Sequence, residues 1–416
     1  MSQPNYKRTK HSCYYTYVAM SSIFSLPPLL FVTFHDSYDI SYTRLGTLVL
    51  INFCTQLAID LIFSFFSKYF NIRYTLRVMP LLTSLGLFVY ALVPMLAPDM
   101  AYLGLAIGTV LFSVSAGLSE VLLSPTVAAL PSDTPERDMS LLHSLYAWGV
   151  LIVVVVSTLF LTFVGTEYWM YLAMFWAVLP LVSCYLFCTS PIPDFAVNEN
   201  TASKTGTRKS LGFIFCLMCI FFGSAAENSM TNWVSSYVES ALRLPKIWGD
   251  IFGMALFAVF LGLGRSLYAK YGRNISRVLL FGMIGAVVCY LTAAFSPIPI
   301  IALCACVLTG FCTSMLWPGT LIFMEEKFPH LGVAAYALMA AGGDFGASVA
   351  PQLLGVVVDS VEAADWTVGI ADTLSLAPEQ VGMKAGMLIS AIFPLVGIAV
   401  VVSMRRYFKK REGASG

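Results

Sequence analysis

Charge is scarce in this sequence. Of 416 residues, 24 are Lys or Arg, 23 are Asp or Glu and 4 are His, so the charged fraction is 11%. A soluble domain carries about 25%, and a chain this poor in charge cannot clothe a water-facing surface. Hydrophobic residues reach 58%, so lipid must be the solvent for much of the molecule. Basic tracts interleaved with aromatics are also missing, which argues against nucleic acid as a partner. The sequence has no H-E-x-x-H, no Walker A loop, no G-x-S-x-G and no metal-spaced His/Cys set. No catalytic constellation, metal or cofactor is therefore expected, and the absent Walker loop argues against a self-contained primary pump. No cleavable leader is visible: the chain opens polar, and its first apolar run reads as a retained span.

The 10 cysteines sit mostly inside apolar runs, where they act as small hydrophobes. Cys216 and Cys219 form a C-x-x-C, but within an apolar run and without a second ligand pair, so packing is the expected role.

What the sequence has in abundance is long apolar runs. They are too long for strands and lack the period-two alternation of a membrane barrel. A helix needs about 20 apolar residues to cross a bilayer and satisfies its own backbone there. Spans are predicted near 14–34, 42–66, 76–96, 101–129, 140–164, 169–189, 211–236, 249–269, 277–296, 299–324, 332–358 and 383–403. The expected fold is all-α integral membrane, with twelve transmembrane helices in two pseudo-symmetric six-helix bundles. The bundles are 1–189 and 211–416, joined by a cytoplasmic linker at 190–210 that carries Asn198, Glu199, Asn200, Lys204, Arg208 and Lys209. A second polar segment lies near 360–382.

With the N-terminus inside, 20 of the 24 Lys and Arg residues fall in inner loops, and only Arg44, Arg243, Lys246 and Lys384 fall outside. That asymmetry predicts a multi-pass protein of the cell membrane with both termini cytoplasmic. An internal repeat supports two related halves. Gly117-Leu118-Ser119-Glu120 through Pro125 echoes Gly310-Phe311-Cys312-Thr313 through Pro318, and the same offset carries Gly149 onto Gly342.

Lys270-Tyr271-Gly272-Arg273 after the eighth predicted span resembles the signature loop of the major facilitator superfamily, with a more degraded copy at Ser67-Lys68-Tyr69-Phe70-Asn71-Ile72-Arg73. A narrower resemblance is to the fucose–proton symporter branch. It rests on Glu120 with Pro125, His143-Ser144 with Tyr146-Ala147-Trp148-Gly149, Glu227 with Trp233 and Tyr237, Trp317-Pro318-Gly319, and Gly343-Asp344 leading to Pro351. The resemblance implies a transporter that moves a solute by alternating access. In that branch an acid in the first span helps couple protons, whereas residues 14–34 contain no Asp or Glu, so that role does not transfer.

An ionisable side chain at mid-membrane costs about 2.5–3.5 kcal/mol on insertion scales and is a functional candidate by default. Asp60, Glu120, His143, Glu227 and Asp344 meet that description. A carboxyl at Glu120 can take a proton on one side and release it on the other, or accept from a sugar hydroxyl; a plain helix-to-helix hydrogen bond is the alternative. Glu227 shares a helix face with Gly223, Met230 and Thr231, beside a row of Asn228 and Asn232 and near Trp233. Carboxylate, amide and indole together suit a carbohydrate, though polar residues also tie membrane helices together. Asn52, Gln56 and Asp60 form a polar stripe that must face protein or a cavity. Asp60 suits either solute contact or a structural pairing near Lys68. His143 and Tyr146 share a face, and Trp317 could form an aromatic wall. Asp344, among glycines, reads as a gating or coupling residue or as a structural cap. The substrate-binding candidates are thus Glu120, His143, Tyr146, Glu227, Asn228, Trp233 and Trp317. The proton-coupling or gating candidates are Glu120, Glu227, Asp60 and Asp344.

These features predict a non-enzymatic, monomeric secondary transporter in the lipid bilayer. Its expected partners are a small polar solute, with sugar the best match, and a proton if transport is coupled. Efflux of amphipathic drugs on the same fold is one alternative; a membrane sensor or an intramembrane enzyme is the alternative of another class.

Overall fold

Helices alone build the described part of the chain, residues 6–66, 69–132, 135–193, 211–272, 274–328 and 333–412 of a computed structural model. Ten segments are long and apolar enough to cross a membrane. The first pass is a bent pair, α1 (Lys7–Leu29) and α2 (Phe31–Tyr38), and makes an eleventh. Pro27 and Pro28 cause the bend of 49°: they remove two backbone donors, and the Leu30 N–H turns back to the Pro27 carbonyl at 3.0 Å. The passes from second to sixth are α3 (Tyr42–Phe66), α4 (Ile72–Leu96), α5 (Ala101–Ala128), α6 (Pro135–Phe163) and α7 (Trp169–Cys188). The apolar half of α6, Trp148–Phe163, falls short of full span length, and this helix completes the twelve.

The seventh pass is α8 (Leu211–Ser236) with a π-helical extension, Tyr237–Ala241. The eighth starts as a π-helix, Trp248–Ala255, and continues as α9 (Leu256–Tyr271). After α10 (Ile275–Phe295), the tenth pass is split into α11 (Pro299–Thr313) and α12 (Leu316–Lys327). The eleventh is α13 (Val333–Glu362). The polar segment predicted at 360–382 is not a plain loop: it contains α14 (Asp365–Leu374). The twelfth pass also begins earlier than predicted, as α15 (Pro378–Ser390) and α16 (Ile392–Glu412). Its opening carries Glu379, Gln380 and Lys384, residues that read as loop in sequence but are held by distant partners: Gln380 donates to the Ala241 carbonyl at 2.7 Å, Lys384 to the Ser296 carbonyl at 3.0 Å, and Glu379 accepts from the Tyr42 hydroxyl.

Polarity runs inside out, as lipid demands. Leu81, Leu85 and Leu92 of α4 are exposed, while Thr83 and Ser84 of the same helix are buried. Lipid tails are as apolar as leucine, so small residues and hydroxyls hold the helices together. The Thr83 hydroxyl donates to Ser115 Oγ at 2.7 Å, Ser115 donates to the Met79 carbonyl at 2.6 Å, and Ser84 donates to the Ala177 carbonyl at 2.5 Å. In the later half, Phe213, Leu279, Met283, Met324 and Met404 form one apolar core. Cys216 and Cys219 belong to this core, as packing residues.

The chain separates into two units: Met1–Ile40 with Ile51–Asn198, and Ser41–Leu50 with Glu199–Gly416. The repeat seen in sequence has a physical counterpart in each. Gly117 of α5 packs against Ile59 and the Gln56 carbonyl of α3, and Gly310 of α11 packs against the Phe257 carbonyl of α9. A fourth-pass glycine on the second pass is matched by a tenth-pass glycine on the eighth.

The first turns of α3 belong to the second unit. Asp359 of α13 accepts from the Tyr42 and Thr43 N–H groups at 3.0 and 2.6 Å, capping the α3 N-terminus with a carboxylate. The Tyr42 hydroxyl donates to Glu379 at 2.6 Å. Gly355 lets the backbones meet: a Cβ there would overlap the Tyr42 carbonyl.

Candidate functional site

Each unit holds a polar cluster built on mid-span acids named from the sequence: Asp60 with Glu120 in the first, Glu227 in the second. In the first unit the predicted stripe on α3 turns inward: Gln56 and Asp60 are buried. The Ser113 hydroxyl of α5 donates to Asn52 Oδ1 at 2.6 Å, and the Gln56 amide donates to the same oxygen at 3.0 Å. Amides and hydroxyls thus satisfy one another at the top of the stripe. Asp60, further along, has an Oδ1 with no hydrogen-bond partner among the described residues. Its carboxyl lies within electrostatic reach of Glu120 on α5, and Glu120 is also within reach of the Tyr17 hydroxyl of α1. Tyr17 in turn sits 3.4 Å from Ser124 Oγ. Glu120 is exposed although it lies in the second half of an apolar helix. Neither acid takes part in an ion pair among the described residues. Tyr146 of α6 packs edge-on against Phe24 of α1, with ring centroids 5.8 Å apart, and Phe24 lies 6.4 Å from Phe53 of α3. The side chain of His143 and the residue Lys68 lie outside the described residues.

In the second unit Glu227 occupies the middle of α8. Arg265 of α9 reaches it, Nη2 to Oε1 at 3.7 Å, with side-chain exposures of 45% for Arg265 and 19% for Glu227. The other carboxylate oxygen, Oε2, is buried and has no hydrogen-bond partner among the described residues. The same guanidinium donates from Nε to the Ser314 carbonyl at 3.1 Å. That carbonyl is available for a chemical reason: its helical partner four residues on would be Pro318, which has no N–H. The break between α11 and α12 is therefore tied through Arg265 to Glu227. Asn228 and Asn232 are engaged along α8 itself, donating to the Ser224 and Asn228 carbonyls at 3.1 and 2.9 Å.

Trp233 is placed as a packing residue. It is fully buried, its indole N–H donates to the Pro351 carbonyl at 3.1 Å, and its ring lies against Tyr42 at 5.8 Å between centroids. No accessible ring face is left for a solute in this structure. Trp317 of α12 is half-buried and rests on Gly343 of α13, next to buried Asp344.

At the start of α6, outside the apolar spans, Asp138 accepts from Lys10 Nζ at 2.7 Å, from Ser132 Oγ at 2.6 Å and from the Tyr14 hydroxyl at 3.3 Å. The Lys10 hydrogen bond, with help from Ser132, holds its carboxyl below the usual carboxylate range.

Paired glycines, broken passes and two mid-span clusters agree with what the sequence resembles. Residues 14–351 match the Major Facilitator Superfamily. The chain belongs to that family. Among solved structures, the facilitator is similar to the inward-facing, occupied form of a bacterial homologue of the human lysosomal transporter Spinster. The TM-score is 0.77 at 11% identity, covering 99% of each chain. A nucleoside transporter matches with a TM-score of 0.70 at 15% identity, over 95% of this chain and 98% of that one. The fucose:proton symporter of E. coli matches with a TM-score of 0.59 at 12% identity, over 96% and 99%. No curated protein matches the chain. At such identities the likeness shows the fold, and family membership makes the chain a multi-pass membrane transporter rather than an enzyme.

Sequence reasoning missed Arg265 in this facilitator. It lies near the inner end of the predicted span 249–269, where it counts simply as an inner-side cation, whereas in the structure it faces Glu227 from α9. The signal was present: Leu256-Phe257-Ala258-Val259-Phe260-Leu261 runs into Gly262-Leu263-Gly264-Arg265 without polar punctuation. Tyr17, which belongs to the Glu120 cluster, was missed as well; a tyrosine in an apolar run carries no comparable signal.

Proposed function

We propose that this facilitator is a secondary transporter for a small polar organic solute, a sugar or a sugar-bearing molecule such as a nucleoside. The observation that carries the reading is the Glu227–Arg265 pair. It presents a guanidinium nearly half exposed and a carboxylate oxygen that no described residue satisfies, in the middle of an apolar helix. Vicinal hydroxyls suit such a pair, because one can donate to the carboxylate while its neighbour accepts from the guanidinium. Two solved structures of the same fold are described as carrying a nucleoside and a fucose with a proton, cargoes that fit this chemistry.

In the first unit, Asp60 and Glu120 stand together with no ion-pair partner among the described residues, an arrangement suited to exchanging one proton. We assign solute contact to Glu227 and Arg265, with Asn228, Tyr146, His143 and Trp317 as further candidates. Proton coupling falls to Glu120 and Asp60, and gating to Asp344. Trp233 acts through packing. The reading further includes a cell-membrane location, cytoplasmic termini, and a chain working as a monomer. Efflux of amphipathic compounds is the second reading, favoured only by the many apolar side chains around these clusters.

Purified protein should be screened by thermal shift against hexoses, pentoses, nucleosides, amino acids and cationic amphiphiles. A specific binder raises the melting temperature by mass action. Stabilisation by a polyol or nucleoside that disappears in Glu227→Gln supports the proposal. Stabilisation by amphiphiles alone, retained in that variant, overturns it.

A further inference from the structure

The interior of the first unit encloses a small cavity with hydroxyls in its wall. It lies where α1, α4, α5 and α7 meet, and all of its wall residues are buried. It leaves about 10 Å³ for the centre of a water-sized sphere. Thr16, Thr83, Ser115, Ser119 and Ser183 supply the hydroxyls. Four of these have already committed their protons. Thr16 donates to the Ser12 carbonyl at 2.7 Å and Ser119 to the Ser115 carbonyl at 2.8 Å, each back along its own helix. Thr83 donates to Ser115 Oγ at 2.7 Å, and Ser115 donates to the Met79 carbonyl at 2.6 Å. What these four can still offer is lone pairs. Ser183 differs. It is fully buried, and its hydroxyl has no hydrogen-bond partner among the described residues. Leaving a buried hydroxyl unsatisfied is costly, and a helical serine can avoid it by bonding back one turn, as Ser119 does.

We propose that this cavity holds one ordered water molecule, with Ser183 as its anchor. Size and polarity both select water. The space suits a single molecule, and an ordered water makes about three hydrogen bonds. It can give its two protons to two of the lone pairs and accept the proton of Ser183, so each group gains the partner it lacks. A cation would also be drawn to lone pairs. However, no charged side chain lines the cavity among the described residues, and an ion taken out of water needs a counter-charge. An apolar guest would leave the Ser183 hydroxyl unsatisfied. Seated there, the water ties α7 through Ser183 to hydroxyls of its neighbouring helices, whatever solute the transporter carries.

The test uses the full-length protein in detergent. Ser183→Ala removes one hydroxyl, and a wet and a dry cavity respond to it with different signs. In a wet cavity the water loses a partner, and the melting temperature should fall by about 2–4 °C. In a dry cavity the change removes an unsatisfied buried hydroxyl, so an unchanged or raised melting temperature would overturn the proposal. Exchanging sodium and potassium for choline in the buffer should leave the wild-type melting temperature unchanged. A loss of stability on that exchange that Ser183→Ala does not show would make the ligand a cation and overturn the assignment to water. A density map fine enough to resolve ordered solvent should show a peak about 2.7–3.0 Å from Ser183 Oγ, and its absence would also overturn the proposal.

Discussion

Consider replacing Glu227 by Gln. The Arg265 guanidinium keeps its bond to the Ser314 carbonyl at 3.1 Å but loses its counter-charge at 3.7 Å. Two unit charges at that distance attract by about 4 kcal/mol at an effective dielectric near 20. Arg265 is 45% exposed, so solvent screens much of this, and the net cost falls to about 1–2 kcal/mol. Arg265→Gln should be worse for two reasons. The carboxylate is stranded in a site only 19% exposed, and the Ser314 carbonyl loses the donor that Pro318 cannot supply. The second effect adds about 1 kcal/mol, giving about 2–3 kcal/mol in all. The double variant strands no charge and should cost only about 1 kcal/mol, less than Arg265→Gln alone. Thermal unfolding in detergent reads this directly, at about 2–4 °C per kcal/mol for units of this size. Arg265→Gln should lower the melting temperature by about 4–12 °C, and adding Glu227→Gln should restore at least half of the loss. Simple addition of the two single effects would refute the paired-charge reading.

Other perturbations probe the rest of the molecule. Asp359→Asn keeps the shape of the α3 cap but removes its charge. It should cost about 1 kcal/mol and speed hydrogen exchange at the Tyr42 and Thr43 amides by about fivefold; unchanged protection at both amides would show that the carboxylate does not hold them. Glu120→Gln should abolish uptake driven by a proton gradient in proteoliposomes while leaving solute counterflow and folding intact, and wild-type gradient-driven uptake would remove Glu120 from coupling. Because Lys10 holds the Asp138 carboxyl below its ordinary range, the stability this group contributes is present above the unfolded carboxylate value near pH 4. That stability is lost as pH falls through the folded value. Lys10→Met should therefore flatten the acid limb of a stability–pH curve, and an unchanged limb would assign acid sensitivity elsewhere. Gly355→Val should cost about 1–3 kcal/mol, because the neighbour in its way is the Tyr42 backbone and cannot rotate aside; a neutral effect on the melting temperature would show that α3 and α13 separate freely there.

Fold class was legible because hydropathy reports a solvent, and a lipid-facing helix has few ways to disguise itself. Twelve passes and the glycine repeat both followed from the sequence. Helix breaks were less legible: Pro27-Pro28 and Pro318 mark the bent and split passes, but Pro80, Pro94 and Pro180 sit within continuous helices. Proline removes a donor everywhere, and only the surrounding packing decides whether the chain bends. The acids Asp60, Glu120 and Glu227 stood out because charge is rare within the spans. Their partners did not, since pairing depends on which helix faces which. Arg265 reads only as an inner-side cation for that reason, and Trp233 reads as a sugar platform because an indole inside a helix looks the same whether it faces a cavity or a Pro351 carbonyl.

The way Arg265 is used has a consequence for how such sequences can drift. One planar group serves two acceptors in different directions, the Ser314 carbonyl through Nε and the Glu227 carboxylate through Nη2. A lysine offers a single ammonium on a flexible stem and cannot hold both. Pro318 creates one of these demands, and Glu227 creates the other. The three positions should therefore be inherited together, so that losing the proline in a descendant relaxes the need for arginine, while losing the glutamate makes the arginine a liability.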